Sequence, residues 1–122
     1  VTKSFAVIAG DLGSGLAIPG ATVEYTVEII NASATTAADP VQITDAIDAD
    51  VTFLGGQYLA GTDFEIVNGA VTSQCTAVAD GDDCELAGAN ITIGAGDTIS
   101  LAAATTLTLT YQVTIPDPAV TP

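Results

Sequence analysis

The sequence predicts an all-β protein, an antiparallel β-sandwich of about seven to ten short strands, on three observations. The first is the stretch after Pro19-Gly20, where Val23, Tyr25, Val27 and Ile29 face one way and Thr22, Glu24, Thr26 and Glu28 the other. A helix would scatter these side chains around its circumference, so period two means a strand with one wet face. The second is the same pattern near the far end of the chain. There Leu107, Leu109, Tyr111, Val113 and Ile115 alternate with Thr106, Thr108, Thr110, Gln112 and Thr114. The third is the run of turn signals between them, with no stretch of helical period beyond weak Ala-rich segments. Two long amphipathic strands need partners and a second layer to cover their apolar faces.

Taken in order, Val1–Ala9 reads as a strand with Phe5 and Val7 on one face and Ile8 on the other. Residues 10–20 hold four glycines and a proline and form a loop. It is longer than a tight hairpin, so the first strand is not obliged to pair with the second. Small residues over 31–40 form a crossover loop or a ragged strand end. Val41 and Ile43 give a short strand stopping at Asp45, 46–50 a turn, and Val51, Phe53 and Leu54 a fourth strand broken by Gly55-Gly56. Tyr58-Leu59 and Phe64–Val67 read as a fifth strand interrupted at 60–63. Asn68-Gly69 is the strongest hairpin signal and joins it to residues 70–73. Glu85-Leu86, Asn90–Ile93, Thr98–Leu101 and Thr106–Ile115 complete the set. Residues 116–122 carry three prolines and form an extended tail. The whole, 1–122, is one domain.

Fifteen acidic residues face a single lysine, Lys3, for a formal net charge of −14. Without a cationic footprint the chain is not expected to bind nucleic acid or an anionic membrane surface. No apolar run approaches the ~18 residues of a membrane span, so insertion of the mature chain is not expected. The ionic partners open to it are cations and basic surfaces. The first residue is Val1, which reads as the product of signal-peptide removal or as an excised repeat.

Catalytic constellations are missing. With no His and no Arg, neither a Ser-His-Asp triad nor a His metal cluster can be assembled, and the residues read as a non-enzyme with no cofactor. Cys75 and Cys84 close a short Gly/Asp-rich loop. They lack the further ligands a metal site needs and the base a thiol nucleophile needs, so they read as a disulfide and an oxidising, extracellular compartment. Inside that loop, Asp80, Asp82 and Asp83 are hard oxygen ligands of the kind calcium takes, although the spacing is not that of an EF-hand. Asp45, Asp48 and Asp50 form a second acidic cluster. Asn31-Ala-Ser33 and Asn90-Ile-Thr92 have the form of N-glycosylation sites.

From Ile18 to Ala32 the sequence resembles the conserved Ig-like repeat of bacterial and archaeal surface proteins, catalogued as domain of unknown function number eleven. Those repeats open with a strand bearing a lysine, here Val1-Thr-Lys3, and continue with a Pro-Gly-x-x-Val-x-Tyr-x-Val strand ending in Asn. A Val-x-Ile-x-Asp strand (Val41–Asp45), a Val-x-Phe strand (Val51–Phe53) and a Leu/Thr alternating strand (Thr106–Ile115) follow. Tyr58–Ala89 departs most from the pattern. The resemblance implies an extracellular Ig-like sandwich, usually in tandem within adhesin or envelope proteins. In architecture the chain is also similar to β-sandwich subunits of biofilm fibres and archaeal bundling pili, which link by donated strands.

Two functions are therefore expected. The first is a secreted structural subunit of an extracellular filament, its partners copies of itself, in which a donated strand, either 1–9 with Phe5, Val7 and Ile8 filling the next subunit's groove or the tail after Ile115, completes that subunit's sheet. The alternative is one module of a cell-surface adhesin or envelope protein, binding calcium or glycans.

Overall fold

Alternation sets the two long strands, β2 (Thr22–Ile30) and β9 (Thr106–Thr114), and they pair antiparallel over their whole length, from Thr22 opposite Thr114 to Ile30 opposite Thr106. The structure is a computed structural model and describes residues 1–77, 84–94 and 99–116. Among these residues lie seven further strands: β1 (Thr2–Ala9), β3 (Ile43–Ala46), β4 (Thr52–Leu54), β5 (Phe64–Asn68), β6 (Val71–Cys75), β7 (Cys84–Ala87) and β8 (Asn90–Ile93). The architecture is the expected all-β antiparallel sandwich.

The larger sheet has the order β1-β2-β9-β5-β6, and β4 pairs with the end of β9 that β5 leaves free. The smaller sheet has the order β3-β8-β7. Both sheets put their apolar sides inward. Leu107, Leu109, Tyr111 and Val113 of β9, Phe64 of β5, and Ile91 and Ile93 of β8 are fully buried in one cluster. Each such side chain contributes roughly 1.5–3 kcal/mol relative to exposure.

β1 pairs with β2 of its own chain, in the register Phe5 opposite Tyr25 and Val7 opposite Val23, with a shift at Ile8. The β5–β6 hairpin forms where Asn68-Gly69 predicts it, one residue along: Asn68 pairs with Val71, and Gly69, at φ 61°, is the first of the two turn residues.

Two expectations are corrected. Tyr58-Leu59 does not begin a strand. Leu59–Gly61 is a short 3-10 turn with Ala60 at φ 60°, closed by Gly61 and Thr62 donating back to Tyr58 and Leu59. That turn frees the Tyr58 phenol to lie over the outer face of the large sheet, where it donates to Glu24 Oε2 at 3.0 Å. The strand expected at Thr98–Leu101 is reduced, within the described residues, to a bridge between Leu101 and Ala38 and a bond from Val41 N to Ile99 O.

Chain entry and exit lie at opposite ends of the large sheet. β1 and β9 both run antiparallel to β2, so Thr2 sits at the level of Glu28 and Thr108, and Ala9 at the level of Thr22 and Thr114.

Candidate functional site

β1 is the edge of the large sheet, and its inner face reaches past the cover that the three-stranded sheet supplies. Phe5 belongs to that face by register yet is 63% exposed, while Val7 is half-buried and Ile8, at the register shift, is exposed. Main-chain groups on the outer side of β1 have no neighbouring strand among the described residues. An unpaired edge of this kind is a template for another strand.

Phe5 ends a row of rings that crosses the inner face of the sheet. Its ring centroid is 6.3 Å from that of Tyr25, which is 5.5 Å from Tyr111, which in turn lies 6.3 Å from both Phe64 and Phe53. The row exists because strand registry puts Phe5, Tyr25 and Tyr111 directly opposite one another.

Lys3, two residues before Phe5, shares the inward face. Its ammonium lies 4.6 Å from the Tyr25 ring centroid and 5.8 Å from that of Tyr111, and donates to Asp45 Oδ1 at 2.9 Å. Asp45 Oδ2 accepts the Tyr111 hydroxyl at 2.6 Å. Burial, and then the Asp45 carboxylate it donates to, push the Tyr111 phenol well above the ordinary tyrosine range. Because Asp45 is on β3, this cluster ties the edge of the large sheet to the edge of the small one.

The loop after β1 is built locally. The Asp11 carboxylate accepts the amides of Gly13 and Gly15, and the Gly15 and Gly13 bonds hold its carboxyl below the usual aspartate value. Leu12 and Leu16 point into solvent. The loop closes tightly: a Cβ on Gly10, at φ 72°, would collide with the carbonyl oxygen of Gly20. Gly20 N and Ala21 O bond Ile115 just past β9, so the loop sits at the end where the chain leaves the sheet.

Cys75 and Cys84 form the expected disulfide. Asp80, Asp82 and Asp83 lie outside the described residues, as does most of the 116–122 tail. Asp45, Asp48 and Asp50 are not gathered as ligands: Asp45 is engaged by Lys3 and Tyr111, and Asp48 Oδ1 accepts the Asp50 amide. No group of three or more metal-ligating side chains is placed together among the described residues. Asn31 is half-buried, and its Nδ2 donates to the carbonyls of Thr36, Leu101 and Ala102 while Oδ1 accepts the Ser33 amide. Asn90 is exposed at the β7–β8 turn.

Two connections join residues far apart in sequence. Asp63 accepts the Gly56 and Ala77 amides, each at 2.7 Å, and so fastens the 55–62 loop to the strand end beside the disulfide. The Lys3–Asp45 pair had a signal in the sequence: alternation with Phe5 and Val7 already turns Lys3 inward, where a charge needs a partner.

Comparison with family models, with curated proteins and with solved structures finds no match to this chain. Among the described residues no helix is long and apolar enough to cross a membrane.

Proposed function

We propose that this chain is a secreted structural subunit that assembles into an extracellular filament, each copy completing its neighbour's large sheet with a donated β1. The observation that carries this reading is β1 itself. Among the described residues it is an edge strand with an exposed Phe5, paired with β2 alone and joined to the small sheet by the Lys3–Asp45 ion pair. It is tethered through a glycine-rich loop that sits at the exit end of the sheet. Exchange between copies keeps every β1–β2 hydrogen bond and every ring contact, so it costs little beyond the reorganised loop and the entropy of association. The disulfide fits an oxidising, extracellular setting. A polymer of subunits carrying a net charge of −14 each would need cation screening to form.

The test is negative-stain microscopy of the intact chain and of one lacking residues 1–9, at raised salt. Filaments from the intact chain only, with the shortened chain still rich in β structure, support donation by the N-terminus. Compact particles from the intact chain at every salt and protein concentration would sink it.

The placement of entry and exit at opposite ends also favours a second reading, a module in a tandem cell-surface protein, since such modules are strung end to end. The full-length reading frame separates the two: a short frame with a signal peptide, or a long one with repeats.

A further inference from the structure

The geometry points to the pocket formed by the Asp45 carboxylate and the rings of Tyr25 and Tyr111 as an ammonium cage whose occupant, in an assembly, is Lys3 of a second copy of this chain. This rests on strand exchange as proposed above and names what selects the incoming strand. The cage has the parts that bind an alkylammonium: a carboxylate at 2.9 Å and aromatic centroids at 4.6 and 5.8 Å. Lys3 reaches it from the open edge with its side chain 36% exposed, whereas the carboxylate itself is held from within. Asp45 is 14% exposed, holds the Tyr111 hydroxyl as well, and faces inward from the small sheet. When β1 leaves, Asp45 loses its counter-ion while it still holds the Tyr111 hydroxyl, which favours a replacement cation.

The occupant is fixed by charge. Lys3 is the single basic side chain among 122 residues, so the cation another copy can bring on a side chain is its own Lys3. Lys3 also sits two residues from Phe5, which fills the end of the ring row, so cage and row are occupied together in one register only. A slip by two places Phe5 or Val1 at the carboxylate, and a slip by one turns the apolar set outward. The cage therefore sets both which strand enters and where it stops.

Single substitutions weaken the closed chain and the exchanged one alike, because the same contact is made in both. The informative experiment mixes two full-length variants. Lys3→Gln keeps the cage and lacks the key, while Asp45→Asn keeps the key and lacks the cage. Each is unfolded and refolded alone, and then both together in equal amounts with the disulfide intact; mass is read by light scattering after size exclusion. Only a mixed pair, the Asp45→Asn strand in the Lys3→Gln groove, restores the contact. The expected result is about tenfold more associated species in the mixture than in either variant alone, the gain shrinking as salt rises. Lys3→Arg, which keeps the charge, gives less gain when it replaces Lys3→Gln, since its closed form retains a cation. Should either variant fold poorly alone, recovery of β structure in the mixture reads the same contact. A mixture that equals the sum of its parts overturns the cage. Filaments from the unaltered chain with no gain in the mixture leave the filament standing and remove the cage, whereas a gain without filaments does the reverse.

Discussion

Cys75 in β6 and Cys84 in β7 hold their Cα atoms 5.8 Å apart and join the last strand of the large sheet to the last strand of the small one. The sandwich is thus stapled covalently at one edge and by Lys3 and Asp45 at the other. Closing a loop between residues nine apart restricts the unfolded chain by ~2–3 kcal/mol in the chain-entropy account. Reduction, or paired Cys75→Ala and Cys84→Ala substitution, is expected to lower the unfolding free energy by about that amount in urea titrations. The core of β9 and β8 keeps the β signal. An unchanged midpoint would mean that packing alone holds this edge.

Asn31 is expected to behave as a structural residue. Its amide fastens the crossover at Thr36 to the Leu101–Ala102 segment through three carbonyls. Asn31→Asp keeps the shape, removes the donors and sets a carboxylate against those oxygens, for a loss of about 1–3 kcal/mol. The control is Asn90→Asp at the exposed hairpin turn, where little change is expected; equal effects at the two positions would refute this role for Asn31.

High pH is expected to open the sandwich. Burial, foremost, and the neighbouring carboxylates raise the Tyr58 and Tyr111 phenols above the ordinary tyrosine value. Protonated phenols are favoured by the fold, so this stability is fully present below about pH 10, the unfolded value, and is lost as pH climbs above it. Phenolate absorbance should rise together with loss of the β signal in one transition. Tyr58→Phe should cost about 1 kcal/mol at neutral pH by losing the bond to Glu24, and should make the alkaline transition less steep. Ionisation of Tyr111 with the β signal intact would contradict its burial.

Acid is expected to loosen the loop after β1. The Asp11 carboxyl is lowered by the Gly15 and Gly13 amides, so its contribution holds above the ordinary aspartate value and fades as pH falls through the folded one. Hydrogen exchange at Gly13 and Gly15 should speed up in acid and in Asp11→Ala at neutral pH. Exchange indifferent to both would show that the backbone alone sets this loop.

The strands were legible where period two is long and unbroken, as in Val23–Ile29 and Leu107–Val113, because burying one face leaves no other register. Tyr58-Leu59 misled because an apolar pair next to glycines carries no period, and the deciding contact, Tyr58 to Glu24, spans 34 residues. Asp63 carries no signal in the sequence for a similar reason. Its amide partners lie seven and fourteen residues away, and nothing local distinguishes it from a solvated aspartate. The candidate site was half legible. Phe5, Val7 and Ile8 were marked by pattern, whereas the cage needs Asp45, 42 residues from Lys3, and only the pairing of strands brings it there.

Thr2 of β1 and Thr114 of β9 stand at opposite ends of the large sheet, and a load applied there acts in shear. A pull on the two ends draws β1 and β9 in opposite directions along the flanks of β2, parallel to the strands and across their hydrogen bonds. Such a load falls on all rungs of a ladder together, so they break as a set, whereas peeling would take them singly. As a link under tension, the sheet is strongest along the axis that joins its entry at Thr2 to its exit at Thr114.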